Sequence, residues 1–236
     1  MPQHNSRDDE LDFTLLKDPR FHRFLQLAEL IKISHPSIHK SIIKEFGDNP
    51  QFEHFFRVLM TEVRNKSIKK QLAATKLLAE FASLLSSFSA SVSDTEQREA
   101  ITYFGDLLAG GSTQLSTIAA GALGSFARTH ARLVVPLLAH SGISNEDGET
   151  ACAALLSLSM AGSHAASTAI PAICNAAKQH KDPLVRATAC DTLENLGEDG
   201  REAVPVLAQL VVSNDTHVVR LAALRALLIR AVGYRF

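Results

Sequence analysis

At 236 residues, with 46% hydrophobic and 21% charged residues, the chain has the composition of an ordinary folded protein. Its 24 Lys+Arg against 25 Asp+Glu leave no global charge to recruit nucleic acid or an anionic membrane. No uncharged apolar run approaches the roughly 20 residues of a membrane span, and Met1 to Glu10 is too polar for a signal peptide. Three cysteines (Cys152, Cys174, Cys190) in apolar helical patterns read as reduced thiols, so a soluble cytoplasmic protein without membrane insertion is expected.

Taken in chain order, residues 1–8 read as disordered and 9–90 as irregular helical hairpins. Proline at the first helical position, after Asp18, His35 and Asn49, predicts helices over about 19–33, 37–46 and 51–65, with another over 67–85. Nine of the 12 phenylalanines fall between Phe13 and Phe88, whereas later segments are packed with Ala, Leu and Val. This stretch either continues and caps the array that follows or forms a separate small bundle. Residues 86–95 read as a loop, with Asp94 or Thr95 capping the next helix.

From residue 91 to 236 the chain repeats itself. Pro136, Pro171 and Pro205 are spaced by 35 and 34 residues, and each is expected near the start of a helix A. Counting from each proline, alanine stands at place 18 (Ala154, Ala189, Ala223) and leucine at place 22 (Leu158, Leu193, Leu227). Glycine stands at place 26 in two repeats (Gly162, Gly197). Stepping back to Ile101 gives Ala119 and Leu123, and Phe56 marks one more unit. Asp182-Pro183 and Ser213-Asn214-Asp215 break helix A from helix B, and Gly110-Gly111 reads as a C-cap. Neither helix buries its apolar stripe alone, so stability must come from stacking.

The stretch Asp182-Pro183-Leu184-Val185-Arg186…Ala189…Leu193…Leu196-Gly197 resembles the HEAT family, in its short, phycobilisome-lyase-type form. The resemblance covers 166–232 most fully, then 98–165. It implies an all-α, armadillo-like solenoid of helical hairpins and a scaffold or adaptor role in a larger assembly. The second repeat has Thr150-Ala151 and the first Leu115-Ser116 where the family has Val-Arg, which breaks any regular charged ladder.

The enzymatic relatives leave no trace. No His-Glu dipeptide of the HEAT-like hydroxylases occurs, and the stacking aromatics of the glycosylases are missing, with no Trp and two Tyr. Nothing identifies a tetrapyrrole pocket. His35 and His39 share a metal-ligand spacing, but Pro36 puts His35 at a cap and no carboxylate completes the set. His130, His140, His164, His180 and His217 fall near helix ends or loops. Cys152 and Cys190 have no basic neighbour to lower a thiol pKa and read as core residues. No cofactor, metal or catalytic residue is expected.

The candidate partner-binding residues are of three kinds. Arg57, Arg64, Lys66, Lys69, Lys70 and Lys76 form a basic cluster, either a solvated helix face or an anionic contact, with Lys69 and Lys76 as its candidates and nucleic acid as the alternative ligand. Arg186 and Arg220 are either rungs to an Asp of a neighbouring repeat or members of a binding face. Asp191, Glu194 and Arg225 stand at or near place 20, whose chemistry varies between repeats (Lys76, Gly121, Leu156, Asp191, Arg225). Places 16, 19 and 23 read Ala187, Cys190, Glu194 in the third repeat but Leu221, Leu224, Leu228 in the fourth. With Val232 these leucines form one helical stripe, which either packs into the chain's own core or accepts a partner. That partner would be another subunit or a second copy of the chain.

Overall fold

The computed structural model describes residues 50–64, 68–85 and 92–232, and these residues are helical with no strand. The expected helices over 19–33 and 37–46, and the disordered 1–8, lie outside the described residues. Residues up to Leu78, with Val92, group in one compact unit, and 79–85 with Ser93 onward in another; the division passes through a helix.

In the first unit, α1 (Pro50–Glu62) starts on the proline as expected. It buries Phe56, Leu59 and Met60, and Val63 follows one turn later. Helix α2 (Ile68–Leu85) buries Ala74, Thr75 and Leu78, then Phe81 and Ala82. Thr75 lies in the helix interior because its hydroxyl donates back to the Gln71 carbonyl at 2.7 Å.

After residues 79–85, the second unit continues with α3 (Asp94–Gly110), whose cap is neither Asp94 nor Thr95. Ser93 takes that place: its hydroxyl accepts from the Glu96 N–H while the Glu96 carboxylate accepts from the Ser93 N–H at 3.1 Å. Gly111 does cap α3, but with φ −75°. Space decides the glycine, since a Cβ there would meet the Leu107 carbonyl oxygen at 2.5 Å. Helix α4 (Thr113–Phe126) returns against α3 and completes the first hairpin.

Three more hairpins follow. Helix A of the second is α5 (Ala131–Leu137) continued by a π-helical turn, Leu138–Gly142, and its helix B is α6 (Gly148–Met160). The third joins the short α7 (Ser163–Ala166), a 3-10 turn and α8 (Ile170–Gln179) to α9 (Pro183–Asn195). The fourth joins a 3-10 segment, Gly197–Ala203, and α10 (Val204–Val211) to α11 (His217–Val232). Pro171 and Pro205 stand at the starts of α8 and α10 as expected. Pro136 does not: it lies inside α5. In the later repeats a 3-10 turn breaks the chain before the proline, whereas residues 131–135 are already α-helical, so the missing N–H falls within the helix. Gly162 (φ +87°) and Gly197 (φ +54°) turn the chain after α6 and α9 in the left-handed region that glycine enters without strain.

The four B helices, α4, α6, α9 and α11, stack in that order. Ala119, Ala154, Ala189 and Ala223 are wholly buried, and so are Leu123, Leu158 and Leu193 of place 22. Small residues bring the backbones together: a Cβ on Gly124 would meet the Ser157 side chain and, at 3.2 Å, its Cα.

Candidate protein-binding face

Between stacked B helices run polar rungs whose chemistry changes along the array. Ser157 donates to the Ala120 carbonyl at 2.8 Å, and Thr192, one repeat later, reaches the Leu155 carbonyl at 3.4 Å. Thr117 and Thr150 join hydroxyls at 2.9 Å, so Thr150, standing where the third and fourth repeats have the valine of Val-Arg, makes an uncharged rung. At the junction of the last two repeats the rungs are ionic. The Arg186 guanidinium grips Asp215 through Nε (2.8 Å) and Nη2 (2.5 Å), and Nη1 donates to the His180 carbonyl. Both side chains are largely buried, and the guanidinium holds the Asp215 carboxyl below the usual carboxylate range against the opposing pull of burial. Arg225 bonds Asp191 at 2.5 Å and Glu194 at 3.2 Å on α9.

Of the candidate residues, Asp191, Glu194 and Arg225 are thus brought together, and Arg186 separately holds Asp215 of the next repeat. Arg220, the counterpart of Arg186, is exposed and has no ion-pair partner among the described residues. The leucine stripe is open: Leu221 is 55% exposed, Leu224 40% and Leu228 52%. In α9 the same places are covered, Ala187 and Cys190 being buried and Glu194 engaged by α11. Among the described residues, none closes over these leucines. Val218, 57% exposed, extends the stripe toward the helix start and was missed in the sequence. Its counterpart at place 13, Leu184, is 61% exposed although α11 lies on α9, so this place stays open in an inner repeat as well. The Val232 side chain lies outside the described residues.

Residues 136–228 match the family model of HEAT repeats. This stretch is a HEAT-repeat array. HEAT repeats generally mediate protein–protein interaction and are usually non-enzymatic. No curated protein matches the chain.

Elsewhere in the second unit the polar side chains serve the fold. His130 is buried at the turn after α4, its Nε2 2.9 Å from Asp94 of α3 and its Nδ1 2.9 Å from Thr129. His180 accepts the Asp182 N–H on Nδ1, so its Nε2 carries the proton it donates to the Asn145 carbonyl. It lines a groove of about 460 Å³ between the second and third A helices, with His140, Asn175 and Gln179. Burial pushes the Cys190 thiol up to about 12 and raises Cys152, which contacts the Thr188 hydroxyl at 3.5 Å. Neither thiol is poised as a nucleophile. Among the described residues no cluster of His, Cys, Asp or Glu could hold a metal, and no helix is long and apolar enough to cross a membrane. In the other unit, Arg57 pairs with Glu53 on its own helix and Lys76 is exposed, while the Lys69 side chain and His35 and His39 lie outside the described residues.

Proposed function

We propose that this chain is a non-catalytic scaffold or adaptor of the cytoplasm that holds another protein against the open face of α11. The observation that carries the reading is the leucine stripe, exposed in the fourth repeat at places that inner repeats keep covered. The three half-exposed leucines contribute roughly 3 kcal/mol in all when covered. That falls short of the low end, about 4 kcal/mol, of the freedom lost on association. A partner therefore needs further contacts, and Arg220 stands on the same helix.

The test replaces Leu224 and Leu228 together by Glu. Helical circular dichroism and melting temperature stay at wild-type values, because both side chains face solvent, while proteins that co-purify with the tagged wild-type chain are lost. A double variant that unfolds, or that retains every co-purifying protein, sinks the proposal.

A further inference from the structure

The last internal junction of the HEAT array shows what the open face of α11 is shaped to receive. There α9 presents Arg186, and the following hairpin arrives with Asp215 one residue before the cap of its B helix. The carboxylate is aimed by its own backbone, accepting the Thr216 N–H at 2.6 Å, and meets the guanidinium on two bonds. Such a bidentate pair fixes direction as well as adding attraction. It sets the entry point of α11, which packs along α9, where Cys190 is buried.

Arg220 and Leu224 repeat Arg186 and Cys190 one unit later. Arg220 is exposed and, among the described residues, has no carboxylate on it. Leu224, larger than the cysteine it replaces, stands open beside it. A second copy has no carboxylate to offer Arg220: its His217–Val232 holds no acidic residue, and its Asp215, just before that helix, is already held by Arg186.

We infer that α11 accepts a helix of another polypeptide that enters with a carboxylate just before its first turn, stacking as a following repeat with the acid on Arg220 and an apolar stripe on Leu221, Leu224 and Leu228. This rests on the reading of α11 as a docking face and adds the chemistry of the occupant. The occupant is thus a helix with an acidic entry, neither a nucleic acid nor a second copy of this chain.

The experiment measures fluorescence anisotropy of a lactam-bridged helical peptide, Ser213–Val232, titrated with the full-length chain. This segment fills the equivalent face of α9 and carries Asp215. The peptide binds, and its Asp215→Asn form binds roughly tenfold more weakly, the scale of one charge-assisted pair. An Arg220→Gln chain binds both peptides alike, closing a double-mutant cycle. Equal binding of both peptides to the wild-type chain, or a difference that survives Arg220→Gln, overturns the inference. If the Leu224→Glu, Leu228→Glu chain loses the peptide in that case, the docking face itself still stands. Unimpaired binding by that double variant, or no binding by the wild type, removes both. Sedimentation of the chain as a dimer that the double variant splits makes the occupant a second copy and also overturns it.

Discussion

A single carboxylate shows how the array converts residue chemistry into stacking. Asp215 touches two elements, α9 through Arg186 and its own helix through the Thr216 N–H, so its loss loosens a repeat junction. Asp215→Asn is expected to lower the unfolding free energy by about 2 kcal/mol at neutral pH, the scale of a hydrogen-bonded charged group. The sign of its pH dependence follows from the depressed pKa. A carboxyl that titrates lower in the folded than in the unfolded chain adds stability above the unfolded pKa, and loses it as pH falls through the folded one. The gap between variant and wild type should therefore close in strong acid, below the usual carboxylate range. Urea melts at neutral and acid pH check this; a gap independent of pH would mean that the pair contributes through packing. The sequence placed an Asp near each arginine but did not say which one is gripped. Asp182 is the nearer in sequence to Arg186, yet its carboxylate caps its own helix by accepting the Leu184 N–H at 2.8 Å.

Among the elements, helix starts separate what propensity decides from what geometry decides. Ser93, Asp94 and Thr95 are all good caps by type, and only the Ser93 hydroxyl lies where it accepts the Glu96 N–H. Asp94 is instead spent on Arg98 and His130. Ser93→Ala should cost about 1 kcal/mol, while Thr95→Ala leaves the melting temperature unchanged. A calorimetric scan in which Thr95→Ala is the damaging change would return the cap to the sequence reading. Helix α11 illustrates the opposite balance. Its leucine stripe was legible as i, i+3, i+7 spacing, but spacing describes a face without saying what covers it. The exposure of Leu221, Leu224 and Leu228 followed only once α9 and α10 were seen to pack elsewhere on the helix.

At the scale of the whole array of hairpins, stability is a sum of neighbour interfaces, so one damaged junction uncouples what lies on either side. Gly124 tests this. Alanine is the better helix former by about 1 kcal/mol, but a Cβ there would meet the Ser157 Cα at 3.2 Å, and backbone cannot swing aside. Gly124→Val is expected to split thermal melting, followed by circular dichroism, into two transitions, the α3–α4 hairpin separating from the rest. A single sharp transition at the wild-type temperature would show that the junction absorbs the methyls. The sequence by itself determined the helical class, the repeat period and the buried alanine and leucine columns. Each of these is local: it depends on 3.6-residue spacing, on breakers and on side-chain volume within one hairpin. Only the tertiary structure decided the rest, namely the choice of Asp215 for Arg186, the π-helical turn after Pro136, and the free Arg220 beside an open leucine stripe. Those depend on which surfaces meet across repeats, and a surface is free or covered only in the packed array.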